Sequence, residues 1–188
     1  MRAAGFVLVG GRSSRMGRDK ALLPWRDQTL AEGIAAQVRN AAGNVALVGR
    51  DAHEITSIEC LPDLHPGLGP LSGIETALAS GRGDLNLIHA CDLFIPETGW
   101  LKQLLKTAEM NRAPCVVTVD KDGRTHPLCG VYRADCLSPI QKALDGRRLR
   151  LMDLIEELGV EQARFSGPIW NLNTPEDWQT LQEVANGW

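Results

Sequence analysis

Short apolar runs along this chain alternate with longer stretches in which apolar residues recur every three or four positions. The runs predict buried strands, and the longer stretches predict amphipathic helices. Strands are predicted at residues 5–9, 45–48, 85–89, 114–119 and 128–132. Helices are predicted at residues 30–41, 74–78, 98–110, 137–144 and 152–158, and from residue 174 onward. This alternation indicates an α/β fold with a mostly parallel sheet and helices on both faces.

Two local signals sharpen these boundaries. Residues 121–124 have a turn composition and separate two β-rich runs. Thr174 is a good N-cap for the last helix, because Pro175 suits the first helical position and the acidic Glu176 and Asp177 favour the positive helix end. The carboxyl ends of parallel strands meet at one edge of a sheet, where ligands bind. We therefore expect the polar residues that follow the strands to converge there.

Length and composition exclude several classes of protein. The 188 residues suit one domain, and a net charge of −3 argues against a broad nucleic-acid-binding surface. The sequence has no membrane-spanning apolar run, and glycines interrupt the N-terminal run, unlike in a signal peptide. The five cysteines form no C-x-x-C pair, so we expect buried thiols, no zinc site and a cytoplasmic location.

A glycine-rich, cationic loop follows the first predicted strand. Gly10 and Gly11 allow a ligand to approach the backbone, and Arg15 and Lys20 add positive charge. The spacing is neither Gly-x-Gly-x-x-Gly nor a P-loop, since Ala21 stands where a P-loop needs a hydroxyl. The loop predicts a site for a polyphosphate such as a nucleoside triphosphate. The alternative is a strand-to-helix turn whose glycines serve only its geometry.

The chain resembles the molybdenum cofactor guanylyltransferases. Residues 8–20 read L-x-G-G-x-x-x-R-M-G-x-D-K, which is similar to the signature of that family. Later segments that match, in family order, are Asp63, the G-P-L-x-G loop at 69–73, Cys91-Asp92, His126-Pro127 and the run 171–176. The resemblance implies a Rossmann-like three-layer sandwich of the nucleotidyltransferase type, with a mostly parallel sheet, as a single domain over residues 1–188. Its N-terminal half would bind GTP and its C-terminal half the acceptor.

The resemblance also implies roles for residues of the nucleotide half. Lys20 would neutralise the β- and γ-phosphates, Arg15 would brace them, and Asp92 would hold Mg²⁺. Taken without the family, Asp92 is equally well a helix or turn cap, Lys20 and Arg15 are solvated cations, and Asp63 is a turn residue. The GTP-binding residues that the family implies are Leu8, Val9, Gly10, Gly11, Lys20, Asp63 and Asp92.

The acceptor in this family is molybdopterin, whose terminal phosphate is the nucleophile. Asn171 and Asn173 alternate along an extended segment and would face one side. His126, Arg147 and Arg148 are further acceptor candidates. The alternatives are turn chemistry for the asparagines, a structural role for the histidine and an exposed loop for the arginines.

These features predict transfer of GMP from GTP to molybdenum-molybdopterin, with release of pyrophosphate. The resemblance also implies transient contacts with molybdenum-insertion proteins, cofactor chaperones or apo-molybdoenzymes. One alternative is a cytidylyltransferase that acts on molybdopterin or on a small phosphorylated alcohol; Gly10-Gly11 and the loop at 69–73 favour the guanine type. Another is a non-catalytic GTP-binding adaptor that delivers the cofactor. The presence of both Lys20 and Asp92 argues against it.

Overall fold

A computed structural model describes residues 1–10, 19–49, 58–95 and 99–185 of the chain. The predicted phosphate-loop residues Gly11 and Arg15 lie outside the described residues. The helices are α1 (Leu30–Ala42), α2 (Pro70–Ala79), α3 (Gly99–Met110), α4 (Leu137–Asp145), α5 (Leu151–Leu158) and α6 (Pro175–Ala185). The strands are β1 (Ala3–Leu8), β2 (Pro24–Trp25), β3 (Gln28–Thr29), β4 (Ala46–Gly49), β5 (Cys60–Pro62), β6 (Leu85–Ala90), β7 (Leu93–Phe94), β8 (Cys115–Val119), β9 (Thr125–Arg133), β10 (Glu161–Arg164) and β11 (Trp170–Asn171).

Seven strands form the central sheet in the order β10-β8-β9-β6-β1-β4-β5. β1 pairs in parallel with β4 on one side and β6 on the other, so that Leu8 lies opposite both Val48 and Ala90. Only β9 runs against the other six strands. The predicted mostly parallel sheet is thus confirmed. The carboxyl ends of β1, β4, β5 and β6 lie at the same edge.

Helices cover both faces of this sheet, which confirms the three-layer arrangement. α1 and α3 pack on one face, where Val7 of β1 is buried with Ile34 and Leu104. α2, α4 and α5 pack on the other, where Phe6 of β1 is buried with Ile74. The alternation along β1 follows from the twofold side-chain period of a strand, since a central strand buries both of its faces.

Caps at the helix ends explain why α1 and α6 begin where they do. Thr29 Oγ1 accepts a hydrogen bond from the Glu32 backbone at 3.3 Å, and the Glu32 carboxylate accepts one from the Thr29 backbone at 2.8 Å. This capping box satisfies two backbone N–H groups that a helix start leaves unpaired. Thr174 Oγ1 likewise accepts from the Asp177 backbone at 3.2 Å, which confirms the predicted N-cap of α6.

Several short strands were not predicted from the sequence. They are β2, β3, β5, β7, β10 and β11. β7 and β11 pair antiparallel, with Leu93 opposite Asn171 and Phe94 opposite Trp170. β9 also begins earlier than predicted, at Thr125, because a register shift near Val117 and Thr118 extends its pairing with β8. The β7–β11 pair fastens the segment before α6 to the end of β6.

The cysteines are buried thiols, as expected. Burial raises the pKa of Cys91 and of Cys129 to about 12, so both remain protonated at neutral pH. Cys115 and Cys136 behave in the same way, and Cys60 is half-buried. Among the described helices, none combines the length and apolar character that crossing a membrane requires.

A buried imidazole makes the stability of the fold depend on pH. His89 in β6 is fully buried, and its Nδ1–H donates to the Ala90 carbonyl oxygen at 2.9 Å. Nε2 has no partner among the described residues. Burial lowers the pKa of His89 to about 4. The unfolded chain, with a histidine pKa near about 6.5, therefore binds a proton that the folded chain excludes.

We predict that His89 lowers the free energy of unfolding as the pH falls from about 6.5 to about 4. Above this range His89 does not change the free energy of unfolding. Each pH unit in this window lowers the free energy of unfolding by about 1.4 kcal/mol, so the loss reaches about 2–3 kcal/mol near pH 4.5. Urea unfolding of the wild type and of His89→Leu at several pH values measures this. The variant should show a shallower slope whatever its absolute stability; parallel profiles would contradict the prediction.

Candidate functional site

The ends of β1, β4 and β6 are joined by backbone hydrogen bonds at the carboxyl edge of the sheet. The Leu8 carbonyl oxygen accepts from the Cys91 N–H at 3.1 Å, and the Val9 N–H donates to the Val48 carbonyl oxygen at 2.9 Å. Gly10, which follows, is exposed. Of the three predicted backbone positions, Leu8 and Val9 thus hold the strand ends together, and Gly10 is open to a ligand.

A second glycine, which the sequence analysis did not select, lies against Gly10. A Cβ on Gly49 would come within 2.6 Å of the Gly10 nitrogen, and Gly49 has a φ of +149°. Both facts require glycine at this position. The only sequence signal for it was its place at the end of the second strand. Gly49 is itself buried, so the exposed bare backbone beside the strand ends is that of Gly10.

Lys20 brings three distant parts of the chain together. It opens a short 3₁₀-helix (Lys20–Leu22) whose start is capped by Asp19, with the Asp19 carboxylate accepting from the Ala21 N–H at 3.1 Å. Lys20 Nζ lies 3.2 Å from Asp92 Oδ2 and 3.1 Å from Asn173 Oδ1. The Lys20 side chain is 14% exposed and that of Asp92 41%. The Lys20 side chain is therefore mostly buried, whereas that of Asp92 still faces solvent.

Asp92 has the geometry of a ligand for a metal that arrives with its substrate. Its backbone oxygen accepts from the Leu172 N–H at 2.8 Å, which fixes the residue just past β6. Oδ2 contacts Lys20, and no described residue donates to Oδ1. The described part of the chain contains no group of three or more metal-ligating side chains. This donor set fits Mg²⁺, which commonly takes one or two carboxylates and fills its remaining positions with phosphate oxygens and water.

Asp63 fastens the loop after β5 to the start of α2. Its Oδ1 accepts hydrogen bonds from the Ser72 hydroxyl and, at 3.2 Å, from the His65 N–H. Its own N–H donates to the Gly49 carbonyl oxygen at 3.1 Å, which places it beside the glycine pair. Ser72 was not selected from the sequence, although it lies in the first turn of the helix that the loop at 69–73 begins.

The same loop contacts a buried carboxylate on α2. The Glu75 side chain is 4% exposed, and its Oε2 lies 3.5 Å from His65 Nε2. At the next residue, Thr76 Oγ1 accepts from the Leu64 N–H at 3.0 Å. Three successive contacts therefore hold the loop after β5 on α2, and none of these contacts was apparent in the sequence.

The predicted acceptor asparagines share one side of their segment. Leu172, between Asn171 and Asn173, is fully buried, so the alternation expected from the sequence is present. The Asn173 and Thr174 N–H groups both donate to Asp177 Oδ2 at 2.8 Å. These bonds lower the pKa of Asp177, which keeps that carboxylate charged. Asn173 also contacts the predicted nucleotide residue Lys20, a link that the sequence did not indicate.

Aromatic rings stabilise this arrangement beneath the site. The Trp25 and Phe94 ring centroids are 4.8 Å apart, those of Trp25 and Trp178 are 6.0 Å apart, and those of Phe94 and Trp170 are 6.1 Å apart. Tilted aromatic pairs at such distances add to the stability gained from burial. The β2–β3 hairpin, β7, β11 and α6 are thereby packed together.

The remaining acceptor candidates lie apart from Lys20. His126 is buried, and its Nε2 lies 2.9 Å from Asp120 Oδ2. This hydrogen bond, with those from the Arg124 and Asp122 backbone, lowers the pKa of Asp120. Arg147 and Arg148 are exposed, and Arg148 Nη1 lies 2.9 Å from the Glu157 carboxylate. Within the described residues, no hydrogen bond or ion pair joins this histidine or these arginines to the Lys20 cluster.

Two relatives of the chain are named for the same enzyme activity. A probable molybdenum cofactor guanylyltransferase from Carboxydothermus hydrogenoformans is 31% identical, over 95% of this chain and 94% of that protein. A molybdenum cofactor guanylyltransferase from Xanthomonas euvesicatoria is also 31% identical, over 94% and 93%. Among solved structures, molybdopterin-guanine dinucleotide biosynthesis protein A from Archaeoglobus fulgidus has a TM-score of 0.79 and is 24% identical, over 98% of this chain and 100% of that one. That structure shares the fold.

The family match covers most of the chain. Residues 5–162 match the family described as MobA-like NTP transferase domain, a span that includes the loop after β1, Asp63 and Asp92. The resemblance noted in the sequence and the nucleotidyltransferase fold are both confirmed. The chain therefore belongs to the MobA-like NTP transferase family, and it is a nucleotidyltransferase.

Proposed function

We propose that this protein transfers GMP from GTP to the terminal phosphate of molybdopterin, forming molybdopterin guanine dinucleotide and pyrophosphate. The observation that carries the proposal is the Lys20–Asp92 pair, which lies at the carboxyl edge of the sheet. A cation and a carboxylate so placed suit a magnesium-bound triphosphate. Full-length relatives that are named for this activity support the choice of substrates.

The residues of the site would act by positioning and by charge. Lys20 would bind the β- and γ-phosphates, and Asp92 would hold Mg²⁺ through the oxygen that Lys20 leaves open. When bound, the metal ion would screen the phosphate oxygens and stabilise the departing pyrophosphate. The acceptor phosphate is already ionised near neutral pH, so the site needs no dedicated base. Arg15 would brace the triphosphate.

Recognition of guanine would use the bare backbone at Gly10 and the carboxylate of Asp63. Asp63 lies next to Gly49, and among the described residues only its Oδ1 is used to hold the loop. A second carboxylate oxygen can accept from the N1–H and the amine of guanine, which cytosine does not offer in that arrangement. Leu8, Val9 and Gly11 would complete the nucleotide side.

The C-terminal half of this single domain would bind molybdopterin. Asn171, Asn173, His126, Arg147 and Arg148 are the side chains proposed for it; the amides suit a pterin edge and the cations a phosphate. We place the reaction in the cytoplasm, where thiols such as those of Cys91 and Cys115 stay reduced. Molybdenum-insertion proteins, cofactor chaperones or apo-molybdoenzymes would supply the acceptor or receive the product.

The first prediction for this function concerns the base. With magnesium and molybdopterin, GTP should be used at least about tenfold more efficiently than CTP, which corresponds to about 1.4 kcal/mol of differential transition-state binding. Mass spectrometry of the dinucleotide product, with pyrophosphate release as a second readout, measures the ratio. Equal or better use of CTP would instead favour the cytidylyltransferase alternative. Binding of GTP without any turnover would favour the adaptor.

The second prediction concerns the carboxylate that would hold the metal. Asp92→Asn keeps the shape of the side chain but removes its charge, so kcat should fall at least about a hundredfold, because metal screening is worth several kcal/mol. The matched control is Asp84→Asn, just before the opposite end of the same strand, where the Asp84 carboxylate accepts from the Arg2 N–H at 2.8 Å. It should keep near-normal turnover. Normal activity of Asp92→Asn, with unchanged magnesium dependence, would assign the metal to another residue.

A further inference from the structure

The ammonium of Lys20 has two partners that serve different halves of the domain. Asp92 belongs to the nucleotide side, and Asn173 belongs to the segment proposed for the acceptor. We infer that Asn173 is a positioning residue for Lys20, which it holds in the place where the ammonium meets the triphosphate. The inference rests on the proposed function only in taking a triphosphate as the ligand of Lys20.

The chemistry of the two partners differs in a way that suits this role. A lysine has a flexible stem, and ordering it costs about 2 kcal/mol of rotamer entropy. Two acceptors at 3.2 and 3.1 Å fix the tip before any ligand binds. Asn173 offers a neutral oxygen, so it restrains the ammonium without cancelling the charge that a phosphate needs. The third N–H of Lys20 meets no acceptor among the described residues and can point to a phosphate oxygen.

Asn173 can do this because its own position is fixed independently of Lys20. Its backbone N–H donates to Asp177 Oδ2 at 2.8 Å, within the cap of α6. The preceding residue, Leu172, donates to the Asp92 backbone oxygen at 2.8 Å. The amide and the carboxylate that share the ammonium are therefore part of one hydrogen-bonded frame, which also includes the β7–β11 pair.

The role assigned to Asn173 determines how its replacement should affect nucleotide affinity. A residue that contacts only the acceptor would leave nucleotide affinity intact when it is replaced. A residue that positions Lys20 would weaken nucleotide binding even when no acceptor is present. Its effect would also vanish once the lysine is gone, since it acts through that side chain.

A double-mutant cycle on nucleotide binding tests this. Titration calorimetry with magnesium and a non-hydrolysable GTP analogue, without acceptor, is run on the wild type, Lys20→Met, Asn173→Ala and the double variant. Asn173→Ala should weaken binding about three- to tenfold, which is the range expected for one hydrogen bond. Lys20→Met should weaken it by at least about tenfold. The double variant should match Lys20→Met within about twofold.

Two controls keep the result specific. Asn40→Ala, at an exposed position of α1, should bind like the wild type. Asn173→Leu, which preserves the branched shape of the side chain but lacks its oxygen, should reproduce the cycle if Asn173→Ala proves unstable in thermal melting. Residue 173 is already exposed to solvent, so both variants are expected to fold.

Additive losses in the cycle, or wild-type affinity for the Asn173 variants, would overturn the inference. The proposed function fails separately. If CTP proves to be the preferred substrate, the same cycle with a CTP analogue still measures the coupling between Lys20 and Asn173. A wild-type protein that binds no nucleoside triphosphate would overturn both.

Discussion

The site is organised around the side chain of Lys20, which is mostly buried. A mostly buried cationic side chain is costly unless polar groups contact its charge, and Lys20 finds such partners in Asp92 and Asn173. Those partners come from the end of β6 and from the segment before α6, which are far apart in the sequence. The β7–β11 pair and the aromatic packing beneath it place them within reach of each other. The packing of these segments therefore also assembles the site.

The sheet supplies the rest of the geometry. Because β1, β4, β5 and β6 are parallel, their carboxyl ends lie together, and polar residues that follow them meet at one edge. Gly49 lets the ends of β1 and β4 approach more closely than a residue with a Cβ could. Asp63, next to them, is fixed by Ser72 on α2. The edge therefore presents open backbone and a carboxylate on one side and a cation on the other.

The elements that the sequence predicted are those whose sequence signals lie within the element itself or directly beside it. Apolar periodicity and the Thr174 cap identified the helices and the long strands, whereas the phosphate site that the glycine-rich segment with Lys20 indicates stays a prediction. Short strands such as β5 and β11 carry no pattern of their own, since they form through pairing with partners distant in the sequence. For the same reason the contact between Lys20 and Asn173 could not be predicted. The family pattern assigned each residue to a different half of the domain.

A crystal structure of the protein with magnesium and a non-hydrolysable GTP analogue tests the central claim most directly. We expect the metal ion on Asp92, the β- and γ-phosphates within hydrogen-bond distance of Lys20 Nζ, and the lysine still in contact with Asn173. The guanine ring should lie near Gly10 and Asp63. A triphosphate bound away from both Lys20 and Asp92 would contradict the account, whatever reaction the protein catalyses.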